Sequence, residues 1–157
     1  MSSNQYHFED HWHIPCPIER VWDVLADPEN FPVWWQGVYL SATKAGEDRI
    51  VAVARGWLPY KLRFVIETIR REKPTLIEFK AAGDFRTDSS KWILRPEGSG
   101  THVVLDWNPI VDKPVVRFFS SVLKPLFEWN HHWTMRRGEL QIAKYINGQS
   151  HYSRNSG

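Results

Sequence analysis

Asp88 and Arg86 have the residue types and the spacing that an acid–base pair needs. In an alternating strand, residues two apart share a face, so Asp88 is predicted to lie beside Arg86, Ser90 and Trp92 on an inner face. A carboxylate can remove a proton next to a carbonyl, and a guanidinium can stabilise the resulting oxyanion. The pattern therefore indicates a cyclase or dehydratase pair, with a solvated strand end as the alternative.

Arg136 is the second candidate, because it falls inside an apolar stripe of the predicted C-terminal helix. An unpaired buried guanidinium is costly, so Arg136 needs a carboxylate. The partner could be Asp10, Asp88 or Glu78, the side chain could instead extend to the pocket mouth, or the partner could be an anionic ligand. The stripe around it consists of Val115, Phe118, Val122, Leu126, Trp129, Trp133 and Leu140.

Nine tryptophans in 157 residues are more than a core of this size needs. Aromatic rings either pack a core or line an apolar slot for a flat ligand. Several fall on predicted inner faces of strands or of the helix, and neighbouring aromatic residues extend the set. The candidate ligand-binding residues are Trp12, Tyr60, Phe64, Phe79, Trp92, Trp107, Trp129 and Trp133.

The other reactive side chains indicate neither a metal nor a cofactor. His11 and His13 share a face with Glu9, but it is the face opposite Trp12 and is expected to be exposed. His131 and His132 diverge by about 100° on a helix. The single Cys16 excludes an internal disulfide, and no phosphate-binding glycine loop is present. We therefore expect no metal site and no cofactor.

Composition narrows the class of protein further. The net charge is only +2 and basic residues are scattered, which argues against a nucleic-acid binder. No segment approaches the roughly 20 apolar residues of a membrane span, and no signal peptide is predicted. The sequence predicts a cytoplasmic protein with a small hydrophobic partner. Apolar residues on the far side of the long helix indicate either ordinary surface apolarity with packing near the kink, or the surface of a homodimer or another partner; they are Val116, Leu123, Phe127 and Tyr145.

Periodicity supplies the elements that must position these residues. An alternating strand over 6–14 is followed by short helices over 17–26 and 27–35, and then by a period of two. Turn residues divide the rest into strands near 38–44, 49–55, 60–71, 76–82, 85–95 and 101–108. A helix follows and should end near residues 147–148, and Pro125 should kink or split it. We predict the first strand beside the last, one domain over 5–147 and a disordered tail over 148–157.

Two stretches resemble the START-like (helix-grip, Bet v 1-like, SRPBCC) superfamily, and within it the polyketide cyclase/dehydrase and lipid-transport grouping. They are WHIPCPIERVWDVLADP at 12–28 and FPVWW at 31–35; GDF at 83–85, LDW at 105–107 and WNH at 129–131 look like an uncharacterised bacterial branch.

The resemblance implies an α+β helix-grip fold, a seven-stranded antiparallel sheet wrapped around the long C-terminal helix. We expect a protein that binds or carries a small hydrophobic ligand, lipid-like or polycyclic. The alternatives are a cyclase/dehydratase using the Asp88 and arginine pair, and an interaction module whose core is filled.

Overall fold

The computed structural model describes residues 7–55, 61–84, 86–110 and 120–155, and within the last helix it describes the side chains of residues 128–148. A short 3-10 turn at Pro28–Asn30 joins the first two helices. The helices are α1 (Ile18–Leu25), α2 (Phe31–Trp34) and α3 (Ser120–Asn155); the strands are β1 (Phe8–Ile14), β2 (Tyr39–Lys44), β3 (Arg49–Ala54), β4 (Leu62–Glu72), β5 (Leu76–Gly83), β6 (Thr87–Glu97) and β7 (Gly100–Trp107).

The seven strands form one antiparallel sheet in the order β1-β7-β6-β5-β4-β3-β2. Strands β2 to β7 are neighbours in the sheet in chain order, which makes a meander. Strand β1 pairs with β7 over its whole length, from Phe8 opposite Trp107 to Ile14 opposite Thr101. The predicted fold class and the predicted pairing of first and last strands are therefore confirmed.

Helix α1 forms because its apolar residues recur at helical spacing behind two prolines that end β1. Ile18, Val21, Trp22 and Leu25 are buried, as predicted. The indole nitrogen of Trp22 donates to the carbonyl oxygen of Leu76, 3.2 Å away. This bond attaches α1 to the start of β5.

The predicted phase of α3 is wrong. Trp129 and Leu140 are each 55% exposed, Trp133 is 36% exposed, and Arg136 is exposed as well. The buried face lies two residues further along, about 200° around the helix. Its members are His131, Met135, Gly138, Ile142 and Ile146.

Gly138 gives the physical reason for this phase. A Cβ atom there would lie 2.7 Å from Cε2 of Trp35 and 2.8 Å from Cζ2 of Trp12. Only glycine allows the helix backbone to approach these two rings so closely. The close approach fixes the rotation of α3, and the large side chains of Trp129 and Trp133 are left on the outer side.

The predicted end of α3 is also wrong. The helix continues past residues 147–148 to Asn155, and it is one element from Ser120 onward, so Pro125 does not split it. Gly148 was expected to act as a C-cap, but it lies within the helix, where a glycine costs only about 1 kcal/mol relative to alanine. The predicted stripe residues Val115 and Phe118, and the side chains of Val122 and Leu126, lie outside the described residues.

Candidate functional site

The inner face of the sheet, which faces α3, is divided into two parts of different character. The first part is filled by aromatic rings, and we call it the tryptophan half. Ring centroids of Trp12 and Trp92 are 5.3 Å apart, and those of Trp12 and Trp35 are 5.6 Å apart. Such distances are those of rings in contact. Buried Leu94, Ile142 and Ile146 complete this cluster.

The second part lies on β3, β4 and β5, and we call it the alanine half. Its buried members are Ala52, Phe64, Ile66 and Ala81. Register places Ala52 opposite Phe64, and Ile66 opposite Ala81, so all four side chains share the inner face. Alanine fills little volume above a sheet. The surrounding inward-facing residues are only half-buried: Tyr39, Ala54, Leu62, Phe79 and Trp107.

Tyr39 borders the alanine half and touches Phe64, with ring centroids 6.2 Å apart. The residue as a whole is half-buried. Desolvation of its hydroxyl group nevertheless raises its pKa well above the usual value. Tyr39 therefore stays neutral over the physiological pH range and acts as an apolar ring with a hydroxyl.

Two hydroxyl groups beside the alanine half form a hydrogen-bonded pair. Thr87 and Ser90 are each 1% exposed, and their hydroxyl oxygens are 2.8 Å apart. Ser90 lies opposite Phe79 and Thr87 lies opposite Ala81. The backbone N–H of Asn108 donates to the Ser90 hydroxyl oxygen over 3.2 Å. Sequence reasoning placed Ser90 inward but did not include Thr87.

A β-bulge explains why Thr87 is inside and Asp88 is outside. The register shifts between Phe79 and Ala81, so that two residues of β6 oppose one residue of β5 and the alternation is reversed. The Asp88 side chain is 81% exposed and lies 3.8 Å from the Arg86 guanidinium, which is also exposed. The predicted inward orientation of Asp88 and Arg86 is wrong. The pair therefore does not face the interior, where the hypothesis required it to remove a proton from a bound ligand.

A histidine–carboxylate pair lies beside Trp107. Nε2 of His131 is hydrogen-bonded to the carboxylate of Asp10, and the two side chains are 6% and 13% exposed. The His131 ring stacks on Trp107 at 5.1 Å and lies 4.0 Å from the Phe8 ring. Asp10 was the single polar residue on the inner side of β1, a signal that could have identified the pair if the phase of α3 had been known.

The structure places the predicted ligand-binding residues in three environments. Trp12 and Trp92 lie in the tryptophan half. Phe64 lies in the alanine half, and Phe79 and Trp107 pack against both halves. Trp129, Trp133 and Arg136 are on the outer side of α3, where Arg137 lies over the Trp133 ring at 5.5 Å. Tyr60 lies outside the described residues.

The exposed face of β1 and β7 carries several histidines. Nδ1 of His11 is 2.9 Å from Nε2 of His102, and the His13 ring stacks on His102 with centroids 4.8 Å apart. Glu9 and Glu97 hydrogen-bond to His11 and His13 respectively. Among the described residues, no set of three or more His, Cys, Asp or Glu side chains is arranged to hold a metal ion.

Two further features are unsuited to a hydrophobic ligand. A cavity of about 220 Å³ between α1 and α3 is lined by Arg20, Asp23 and Asp27 together with Trp34 and Tyr145. It is polar and smaller than the 300 Å³ typical of ligand pockets. Cys16 is buried, and desolvation raises the pKa of its thiol despite the nearby Arg20, which makes it a poor nucleophile.

Within the described part of the chain, no helix is long and apolar enough to cross a membrane.

An antiparallel sheet that wraps a long C-terminal helix, with two short helices after the first strand, defines a helix-grip protein. The chain belongs to the family described as polyketide cyclase / dehydrase and lipid transport, which matches residues 5–141. The predicted superfamily is thereby confirmed. No curated protein matches the sequence.

Solved structures support the same fold. A START superfamily protein from Mycobacterium smegmatis superposes with a TM-score of 0.73 at 12% identity, covering 91% of this chain and 98% of that one. TTHA0849 from Thermus thermophilus gives 0.70 at 23% identity, covering 90% and 98%. The Zhui aromatase/cyclase from a Streptomyces species gives 0.70 at 12% identity, covering 90% and 96%. At these identities the likeness shows the fold alone.

Proposed function

We propose that this protein binds or carries a small hydrophobic molecule, lipid-like or polycyclic, on the alanine half of its inner face. The observation that carries the proposal is the set of inward-facing aromatic residues that stay half-buried around small side chains, namely Tyr39, Phe79 and Trp107 beside Ala52 and Ala81. Apolar surface left incompletely covered inside a fold gains free energy when a ligand covers it.

The two halves of the inner face explain why the ligand belongs on the alanine half. In the tryptophan half, rings already touch one another and the α3 backbone, so a ligand would have to displace packed side chains. In the alanine half, Phe64 lies opposite Ala52 and Gly83, and Phe79 lies opposite Thr68 and Ser90, so the residues paired with these two rings are small. A flat or extended apolar ligand fits beside such rings without opening the core.

Fluorescence titration tests this proposal. The probes are fluorene and palmitate, added to the purified protein while tryptophan emission and melting temperature are followed. Saturable quenching and a raised melting temperature are expected for at least one of them. Phe79→Ala should weaken binding about tenfold, because the substitution removes a phenyl ring that contacts the ligand.

Trp129→Ala is the matched control for the Phe79 variant. It also removes an aromatic ring, but from the exposed side of α3, so it should leave the affinity unchanged. Absence of any response to both probes would overturn the proposal. Equal loss of affinity in the two variants would show that the ligand lies elsewhere.

The buried His131–Asp10 pair favours a second candidate, an enzyme of the cyclase or dehydratase type. With Nε2 bonded to Asp10, Nδ1 is the His131 atom that could accept a proton from a carbon next to a carbonyl. The test uses 1-indanone in D2O and follows loss of its α-proton signals by NMR. Exchange faster than in buffer, abolished in His131→Gln, is expected for an enzyme; exchange at the buffer rate would contradict this candidate.

Three further expectations stay predictions: a single domain over residues 5–147, a cytoplasmic location and a homodimer. The side chains of Val116, Leu123 and Phe127, on which the dimer prediction depends, lie outside the described residues, and Tyr145 is half-buried. Sedimentation velocity tests the dimer directly.

A further inference from the structure

We infer that Thr87 and Ser90 donate a hydrogen bond to a neutral oxygen atom of the ligand, so that the preferred ligand is an apolar molecule carrying a carbonyl or similar acceptor. This inference rests on the proposed function and makes it more specific. Its basis is the number of hydroxyl hydrogens in the pair and the number of acceptors available to them.

The pair contains more donors than its own contacts use. Each hydroxyl has one hydrogen, and the single bond between the two oxygens uses one of them. The other contact to the pair comes from the N–H of Asn108, which is itself a donor. One hydroxyl hydrogen is thus left without an acceptor among the contacts of the described residues. At 1% exposure for both residues, an unused donor lacks water as well as a protein acceptor, and this destabilises the free protein.

Thr101 of β7 has a buried hydroxyl group whose hydrogen does find an acceptor. Thr101 is also 1% exposed, and its hydroxyl donates to the carbonyl oxygen of Cys16 at 2.7 Å. That bond joins the start of β7 to the turn before α1, and it uses the only hydrogen of the Thr101 hydroxyl group. The difference between Thr101 and the Thr87–Ser90 pair makes Thr101 a matched control.

The position of the pair connects the unused donor to the ligand site. Ser90 is opposite Phe79, and Thr87 is opposite Ala81, both in the alanine half. The bulge that turns Asp88 outward is what places the Thr87 hydroxyl there. The donor therefore lies next to the apolar surface on which a ligand would rest.

Charge favours a neutral acceptor over a carboxylate. The described inward-facing residues of the alanine half carry no lysine or arginine, and Arg136, the anion anchor expected from the sequence, is on the outer side of α3. Asp10, the acid on the inner side of β1, is held by His131 beside Trp107. Hydroxyl donors without a cation suit a ketone, quinone or ester oxygen.

The experiment compares fluorene with 9-fluorenone, which have nearly the same shape and differ by one carbonyl. Dissociation constants come from tryptophan quenching, and the carbonyl stretch of bound fluorenone comes from infrared difference spectra. The native protein should bind fluorenone about fivefold to tenfold more tightly than fluorene, the effect of one hydrogen bond. The carbonyl stretch should move to lower frequency.

The double variant Thr87→Val/Ser90→Ala should remove this preference and the frequency shift, because either single substitution still leaves one hydroxyl hydrogen free to donate. Thr101→Val should keep both. The carbonyl stretch in the native protein gives a readout even where the double variant fails to fold. Equal affinity for the two probes with an unshifted stretch would overturn the inference and leave the proposed function standing. Tighter binding of fluorene-2-carboxylate than of fluorenone would also overturn it. Failure of both neutral probes to bind would instead count against the proposed function.

Discussion

His131 and Asp10 are separated by 121 positions in sequence and are joined by a hydrogen bond from helix α3 to edge strand β1. The pair is enclosed by the rings of Phe8 and Trp107. It marks the place where the helix meets the sheet beside the alanine half. This one buried hydrogen bond therefore holds α3 against β1 at the edge of the proposed ligand site.

Removing one partner of this pair should destabilise the protein strongly. Asp10→Ala leaves the imidazole without its acceptor in a buried environment, and we expect a loss of about 3 kcal/mol in the free energy of unfolding. Urea unfolding of Asp10→Ala, His131→Leu and the double variant measures this. The double variant should lose less than the two single losses added together, since they share one interaction; simple additivity would contradict it.

Gly138→Ala should destabilise the protein by about 1–3 kcal/mol despite the better helix propensity of alanine. Its Cβ would lie under 3 Å from both Trp35 and Trp12, so the helix or the rings must shift. Gly148→Ala is the control on the same helix, because a Cβ there meets nothing within 4 Å. That variant should be stabilised by up to about 1 kcal/mol, and equal melting temperatures for the two variants would refute the argument.

Arg136→Met should change stability by less than about 0.5 kcal/mol, because its side chain is exposed. The neighbouring Met135 is 5% exposed, and Met135→Ala should cost about 2–5 kcal/mol. Thermal unfolding of the two variants tests the phase of α3 directly. A large loss in Arg136→Met together with tolerance of Met135→Ala would restore the phase expected from the sequence.

Stability should fall at alkaline pH in a way that depends on Tyr39. An ordinary tyrosine ionises near pH 10, and desolvation raises the pKa of folded Tyr39 above that value. Its contribution to stability is complete below about pH 10 and is lost as pH rises from there towards the folded pKa, because the unfolded state ionises first. Urea unfolding at pH 9 and pH 11 should show a smaller loss for Tyr39→Phe than for the native protein; an equal loss would contradict the prediction.

The fold could be predicted because each strand carries its own signal. Alternation predicted the bounds of β1 to within two residues, since Trp12 and Ile14 must face the core while His11 and His13 face solvent. Glycine and proline turns then divided the meander into strands whose bounds differ from those observed by no more than two residues. Local patterns suffice wherever one face of an element is buried and the other is not.

The site could be predicted only in part, because two of its features depend on tertiary contacts. Helix α3 carries aromatic residues on both sides, so its apolar pattern did not distinguish the face of Trp129 from that of Met135; the rings packed on Gly138 decide between them. Strand β6 contains a bulge that reverses the faces of Thr87 and Asp88. A strict period of two cannot reveal a bulge.

The measurement that tests the central claim most directly is a two-dimensional NMR titration of the 157-residue protein with fluorene, following backbone amides and the indole signals of its nine tryptophans. If the ligand binds on the alanine half, the largest shifts should occur at the amides of Ala52, Phe64 and Ala81 and at the Trp107 indole, with little change at Leu94 or Ile142. Shifts concentrated at Leu94, Ile142 or the exposed Trp129, or no shifts at a saturating concentration of fluorene, would contradict the account.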